Sequence, residues 1–363
     1  MKYLRNISQL FTLNQACLAL ICIVVLNTSI SAQNIAISKA VTELQSGSLD
    51  SSKVYIDRAS EHEETKNQVK TWYYRGYIYK KLYTSREASN PSSPYRKEAL
   101  QSLKRFFELD TVSDYHESAY KAFKFLASTY YNDAANLITE GSFESSIAAY
   151  NSYKDAMKVI EKDFFNSDLE VQFYLVLGQQ YNKKYEEDRN EKSYFEKSKD
   201  SYLHVISLDT VNTSAHYNLA LLYYNDAVEI IKNLDYDLDL ITLELIQDEV
   251  VQLFKQSLPY MEKALSLDPC REATYTGLSG IYFSLNRMDE SKLVQEQLDY
   301  IKAPKVLELF DGELTENSYI NYFPVCTGKK DMHFVKVVKV VDVWFRVDSN
   351  NYQFVSGNYI LKN

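Results

Sequence analysis

The stretch Thr71-Trp72-Tyr73-Tyr74-Arg75-Gly76-Tyr77-Ile78-Tyr79 carries the pattern that decides the fold of this chain. Trp72 and Tyr79 lie about two helical turns apart, on one face of a helix, with the small residue Gly76 between them. The missing side chain lets a neighbouring helix approach closely, while the rings fill the space on either side. The stretch therefore predicts the first helix of a helical hairpin, and residues 97–109 predict the second.

The same spacing recurs along the chain with other residues in the same positions. Copies read Phe123-x2-Leu126-Ala127-x2-Tyr130, Tyr174-x2-Leu177-Gly178-x2-Tyr181, Tyr217-Asn218-Leu219-Ala220-x2-Tyr223 and Tyr275-x2-Leu278-Ser279-x2-Tyr282, after a less complete copy over residues 34–59. Most second helices close in a Leu-Asp or equivalent segment. Residues 85–94 contain two prolines and predict an inserted loop. Residues 232–255 form the longest insert, and their apolar spacing predicts one long amphipathic helix.

This pattern resembles the tetratricopeptide repeat, whose signature is Trp-x2-Leu-Gly-x2-Tyr, then Ala-x3-Phe-x2-Ala, then Pro. The resemblance covers residues 33–304 and implies an all-α fold, a right-handed α-solenoid of about six hairpins with lengthened helices. The chain departs from the family in two ways. Serine or tyrosine replaces alanine in several second helices, and the spacing between the two helices is longer in four copies.

The first 32 residues have the order of an export signal. Lys2 and Arg5 precede the apolar run Ala16 to Leu26, and Ser31-Ala32-Gln33 follows as a small-residue cleavage site. The run is far shorter than the roughly 20 residues needed to cross a bilayer. We therefore expect a mature protein that begins near Gln33, is periplasmic or extracellular, and keeps no membrane span. A lipid anchor would need a cysteine just after the apolar run.

Charge and motif content exclude several functions. Loss of Lys2 and Arg5 with the leader changes the net charge from −9 to −11, and no basic cluster is present, so nucleic acid is a poor partner. We find no phosphate-binding glycine loop, nucleophile motif or paired metal-binding histidines, and we expect neither a cofactor nor an enzyme. His216 stands at an aromatic position of the repeat and predicts a packed structural histidine. The run Glu61-His62-Glu63-Glu64 predicts a solvated helix end.

Beyond residue 304 the sequence changes character. Residues 305–332 predict irregular structure, and the valine-rich run 334–347 with 352–361 predicts a β-hairpin around a turn at 348–351. Such a hairpin needs support from the last repeat or from a partner. Cys270 and Cys326 are the two cysteines left after export, so one intramolecular disulfide is expected, with two free thiols as the alternative.

The family resemblance also implies a ligand-binding groove lined by the first helix of each hairpin. The implied lining residues are Tyr73, Tyr77, Lys80, Lys124, Ser128, Tyr131, Gln179, Asn182, Tyr217, Leu221 and Tyr224. These residues predict a scaffold that holds a peptide or protein segment by tyrosine packing and amide hydrogen bonds. Two alternatives stay open: the tyrosines pack against neighbouring helices, or they stack on glycans in an exported uptake system.

Overall fold

The computed structural model of the chain describes residues 35–110, 112–235, 237–302, 320–326, 332–340, 343–346, 352–355 and 358–361. The backbone divides into two compact units, Met1–Asn166 and Ser167–Asn363. The predicted export signal lies outside the described residues and stays a prediction. None of the described helices is long and apolar enough to span a membrane.

Within the described residues, each unit contains three antiparallel helical hairpins. In the first unit the helices are α1 (35–46), α2 (Leu49–Glu61), α3 (Val69–Leu82), α4 (Pro94–Leu109), α5 (His116–Thr139) and α6 (Phe143–Ile160). In the second they are α7 (Ser167–Glu187), α8 (Lys192–Leu208), α9 (Thr213–Lys232), α10 (Leu240–Leu267), α11 (Glu272–Ser284) and α12 (Met288–Lys302). The six hairpins and the long helix α10 agree with the sequence prediction, and the fold is tetratricopeptide-like.

A buried serine fastens the two helices of most hairpins. Its hydroxyl group donates a hydrogen bond to a main-chain carbonyl oxygen of the first helix, as the Ser198 hydroxyl does to Gly178 at 2.9 Å. The equivalent pairs are Ser52 to Ala40, Ser146 to Ala134, Ser257 to Ala220 and Ser291 to Ser279. A buried hydroxyl needs such a partner, and the short serine side chain keeps the helices close. This bond explains why serine replaces the alanine of the family pattern.

The Leu-Asp segments end the second helices by a shared mechanism. Asp209 follows α8 with extended backbone angles, and its Oδ1 accepts a hydrogen bond from the main-chain N–H of Val211 at 3.2 Å. Asp268 follows α10 in the same way and accepts from the N–H of Cys270 at 3.3 Å. An aspartate that caps its own turn stops the helix and directs the chain into the next hairpin.

The predicted loop at 85–94 is shorter in the structure. Helix α3 continues as a π-helical turn, Tyr83–Glu87, and α4 begins at Pro94. The Ser85 hydroxyl donates to the carbonyl oxygen of Leu82 at 3.2 Å. Arg86 donates two hydrogen bonds to the Asp50 carboxylate at 2.8 and 2.9 Å, which draws this turn towards α2. These contacts stabilise helical backbone where the sequence predicted a loop.

A buried ion pair joins two hairpins of the first unit. Arg96 on α4 donates from Nη1 to Asp133 Oδ2 on α5 at 2.6 Å, and its guanidinium lies 3.9 Å from the Tyr130 ring centroid. In the second unit Asp226 on α9 accepts in the same way from Lys192 on α8 at 3.3 Å. Asp133 and Asp226 stand in the same pentapeptide, Tyr-Tyr-Asn-Asp-Ala, which occurs at 130–134 and 223–227.

The C-terminal strands differ from the predicted hairpin. Strands β1 (Ile320–Cys326), β2 (Met332–Val340) and β3 (Val343–Arg346) form an antiparallel sheet in that order, and β4 (Tyr352–Val355) pairs with β5 (Asn358–Leu361). The run 334–347 therefore reverses on itself, since Val340 pairs with Val343. Strand β1 was not predicted because it contains Pro324, which an edge strand tolerates.

The sheet packs on α12, in agreement with the expectation that these strands need support from the last repeat. Phe323 is buried, with its ring centroid 5.3 Å from that of Tyr300. A disulfide also joins Cys326 in β1 to Cys270, at the end of α10. This is the pairing that the two remaining cysteines allowed. The predicted boundary at residue 304 falls between 302 and 320, outside the described residues.

Candidate functional site

The groove residues predicted in the first unit lie on α3 and α5, which contact each other. We define the α3–α5 face by five of them, Tyr73, Tyr77, Lys80, Lys124 and Ser128, together with Phe125. The Tyr73 hydroxyl lies 3.0 Å from the Ser118 hydroxyl, and the Lys80 ammonium group lies 4.6 Å from the Phe125 ring centroid. These two contacts hold the first helices of adjacent hairpins side by side.

Aromatic rings are partly exposed on this face. Tyr73 and Tyr77 are half-buried and stack with ring centroids 6.2 Å apart and an angle of 27° between the planes. Tyr73 also packs against Tyr115, with ring centroids 4.5 Å apart, and this contact restrains the Tyr73 ring. The Phe125 side chain is 45% exposed, although it is a large apolar residue on a helix. A fixed ring loses little conformational entropy on binding, which suits it to anchor a partner.

Lysines surround these rings. The ammonium groups of Lys80 and Lys81 each lie 5.9 Å from the Tyr77 ring centroid. Burial lowers the pKa of Lys80 from its ordinary value, and the positive charge of Lys81 lowers it further. Lys124 is exposed, 3.6 Å from Glu161 Oε1. The face therefore combines apolar rings with cations on a chain whose net charge is −9.

Two of the residues predicted for the groove in this unit, Ser128 and Tyr131, make contacts within their own hairpin. The Ser128 hydroxyl donates to the main-chain oxygen of Lys124 at 2.9 Å. The ring of Tyr131 packs against those of Tyr150 and Tyr153, with centroids 6.0 and 5.6 Å away. Burial raises the pKa of Tyr131 above its ordinary value. Tyr131 therefore packs within its own hairpin, which was the alternative left open by the sequence.

In the second unit the predicted tyrosines lie in or against the core. Tyr217 is only 9% exposed, and the Arg271 guanidinium lies 3.5 Å from its ring centroid. The Tyr224 ring packs against Phe254 at 5.7 Å, and Leu221 is partly buried in the same core. The burial of Tyr217 corrects the expectation that this residue lines a groove, while Leu221 and Tyr224 remain partly exposed.

The predicted polar groove positions of the second unit lie on α7. Gln179 is exposed, and Asn182 donates from Nδ2 to Glu186 Oε1 at 3.1 Å. No aromatic residue of the predicted groove set accompanies them on this helix. The α3–α5 face is therefore where the structure brings predicted site residues together. Phe125 was missed, although an apolar residue next to Lys124 on a polar helix face was a signal for it.

His116, His204 and His216 each have a defined polar partner. His116 Nδ1 lies 2.7 Å from Asp110 Oδ2, and His204 Nε2 lies 3.1 Å from Glu170 Oε1. Neither is hydrogen-bonded to a serine or cysteine in the part of the chain that the structure describes. His216 is buried and its Nε2 lies 3.0 Å from the carbonyl oxygen of Thr210, as expected of a structural histidine. Within the described ranges no three metal-binding side chains come together.

Comparisons with known proteins bear on the fold alone. No known protein family model matches the chain, and no curated protein matches it. Solved structures of tetratricopeptide-repeat type do match this chain. A TPR repeats protein from Bacteroides fragilis, BF2334, is 17% identical, with 74% of this chain and 98% of that chain covered and a TM-score of 0.39. MamA is 16% identical, with 76% and 97% covered and a TM-score of 0.23.

Human IFIT1, as a dimer with m7Gppp-AAAA, is 12% identical over 73% of this chain and 50% of its own, with a TM-score of 0.29. These identities and scores transfer no ligand to this chain. The evidence for the fold is the set of hairpins itself, with small residues and rings at the repeat positions.

Proposed function

We propose that the protein is an exported scaffold that binds a segment of a partner protein on the α3–α5 face. The observation that carries this proposal is the partly exposed Tyr73–Tyr77 stack beside Lys80 and Phe125. Exposed rings that are already fixed by packing are the usual anchors of protein interfaces. The lysines on this face complement carboxylates, so the segment that fits is acidic and carries aromatic or aliphatic residues.

Export supports a partner in the same compartment. The order of charged, apolar and small residues in the first 32 positions is the ground for this part of the proposal. We expect N-terminal sequencing of the protein from its own cells to begin near Gln33. Recovery of Met1 from a soluble cytoplasmic pool would refute export and leave the binding proposal standing.

Binding is tested by selecting short random peptides, displayed on phage, against the mature protein. We expect the selected peptides to combine Asp or Glu with aromatic or aliphatic residues. Tyr77→Ala and Lys80→Gln should each weaken a selected peptide roughly tenfold, a loss of about 1.4 kcal/mol. The matched controls are Phe283→Ala, an exposed aromatic on α11, and Lys97→Gln, an exposed lysine on α4.

A further control separates binding from stability. Tyr217→Ala removes a core ring, so it should lower the melting temperature without changing peptide affinity for the first unit. The proposal fails if Tyr77→Ala and Lys80→Gln leave affinity unchanged, or if the face selects basic peptides. Tight binding of an RNA homopolymer at the same face would replace the protein partner by a nucleic acid, against the net charge of the chain.

A further inference from the structure

The second unit contains a cavity of about 750 Å³ between its last hairpins and the β-sheet. Its floor is α11, where Tyr275 and Leu278 are buried. Leu265 on α10 and Val294 on α12 form two opposite walls, and the strands β1 and β2 close one end. A volume in the range of roughly 300–1,000 Å³ is typical of sites for small molecules.

Several bonds hold the walls of the cavity in place without a ligand. The disulfide between Cys270 and Cys326 ties β1 to the segment after α10. Gln297 on α12 donates from Nε2 to the main-chain oxygen of Tyr322 at 3.0 Å. Lys339 on β2 pairs with Glu296 on α12 at 2.9 Å. A cavity held open in this way costs little reorganisation when a ligand enters.

Most of the lining is apolar. Apolar and aromatic side chains predominate, among them Leu278, Val294, Pro324 and Phe334. Phe334 in β2 is 47% exposed, so the large ring of this lining residue is partly in contact with solvent. Such a surface favours an apolar ligand body, because burial removes both apolar surfaces from water.

The charged residues of the lining are both acidic. They are Glu262 on α10 and Glu290 on α12. The Tyr282 hydroxyl donates to Glu262 Oε1 at 2.6 Å, and Arg287 donates from Nε to Glu290 Oε1 at 2.8 Å. Burial and the bond to Glu262 raise the pKa of Tyr282, which keeps the phenol protonated as the donor. Arg287 balances one carboxylate, so this corner keeps a net negative charge.

We propose that the cavity binds amphiphilic amines, ligands with an apolar body and one ammonium group. The body lies against Leu278, Val294 and Phe334, and the ammonium group donates hydrogen bonds to the carboxylate of Glu262. A carboxylate-bearing ligand of the same shape is repelled by the two acids, and a neutral one lacks the charge-assisted hydrogen bond. This site is separate from the α3–α5 face and does not depend on it.

The test compares phenylbutylamine, phenylbutanol and phenylbutyrate, which share one body and differ in the head group. Each is titrated at neutral pH into the mature protein with its disulfide intact, by calorimetry and ligand-observed NMR. We expect the amine to bind at least about tenfold more tightly than the alcohol, and the acid to bind most weakly. Equal affinity for the three ligands overturns the proposal.

Two variants locate the site. Glu262→Gln keeps an acceptor for Tyr282 but removes the charge, so it should weaken the amine about fivefold or more and leave the alcohol unchanged. Ser266→Trp places a ring at the mouth of the cavity and should abolish binding of all three. Ser207→Trp is the matched control, because Ser207 holds the same repeat position on α8 and its hydroxyl bonds within its own helix in the same way. Amine binding that survives Ser266→Trp, or is lost equally in Ser207→Trp, overturns the assignment.

Discussion

Arg96 and Asp133 face each other in the core of the first unit, with Arg96 Nη1 2.6 Å from Asp133 Oδ2. The Arg96 side chain is 1% exposed and that of Asp133 is 11% exposed, so both groups have lost almost all contact with water. Arg96 also donates to Thr129 and to the main-chain oxygen of Pro91. The pair links the second helix of one hairpin to the first helix of the next.

Removing one partner of this pair should be costly. Asp133→Ala leaves a buried guanidinium without its counter-charge, and we expect the free energy of unfolding to fall by about 3–5 kcal/mol. Urea unfolding followed by circular dichroism measures this change. Glu108→Ala is the control, since it breaks an exposed pair with Arg105 and should cost less than about 1 kcal/mol. Equal losses for both variants would contradict a special role for the buried pair.

Gly76 should not tolerate a side chain while Leu103 is present. A Cβ atom at this position would lie 2.5 Å from Leu103 Cγ. Leu103 is fully buried and has no room to move, so Gly76→Ala should destabilise the protein by about 1–3 kcal/mol despite the better helix propensity of alanine.

A double-mutant cycle with Leu103→Ala checks the cause. Leu103→Ala opens space for the new methyl group, so the double variant should lose less stability than the two single losses together. Strict additivity would show that the cost of Gly76→Ala has another origin.

The disulfide between Cys270 and Cys326 should stabilise the second unit. It closes a loop with a sequence separation of 56 residues. A loop of this length corresponds to about 4 kcal/mol in the chain-entropy account. Reduction should therefore lower the urea midpoint of the mature protein, while the Cys270→Ser/Cys326→Ser variant should not respond to reductant. Alkylation of both cysteines before any reduction would refute the bond in the exported protein.

Lys336 in β2 should make stability depend on pH in the alkaline range. Burial lowers the pKa of Lys336 from 10.5 to about 8. Between these two values the unfolded chain binds a proton that the folded chain does not, so stability rises as pH increases. Below pH 8 both states carry the proton, and the folded state retains the cost of a buried charge.

The variant Lys336→Met removes this titration. It should raise the unfolding free energy at neutral pH and flatten the rise between pH 8 and 10.5. Melting temperatures measured across that range test the sign. The lowered pKa would be contradicted if the wild-type protein lost stability between pH 8 and 10.5 while the stability of Lys336→Met did not change over that interval.

The hairpin order was predictable from sequence because it depends on local spacing. Rings and a small residue recur along one helical face, and Leu-Asp segments such as Leu208-Asp209 mark where second helices end. The cysteine pairing followed from the prediction that removal of an export signal would leave Cys270 and Cys326 as the two remaining cysteines.

The site was predicted less well because the exposure of a side chain depends on residues that are far away in the sequence. Tyr77 and Tyr217 were both expected to face a groove, yet only Tyr77 is half-exposed. Tyr217 is covered by Arg271, which lies in a later hairpin, and nothing around residue 217 indicates this. The strand order in the C-terminal sheet depends in the same way on pairing between separated segments, which periodicity alone does not fix.

The pentapeptide shared by residues 130–134 and 223–227 connects consecutive hairpins, which limits where the chain can be divided into fragments. Each copy supplies an aspartate whose cation comes from the hairpin before it, Arg96 in one case and Lys192 in the other. Tyr83 and Tyr185, which lie near these cations, also hold matching positions. A single hairpin excised at its loops would leave half of a charge pair in each fragment. We therefore expect that a fragment must contain two consecutive hairpins to keep a charge pair whole. One hairpin supplies the cation, and the next one supplies the aspartate.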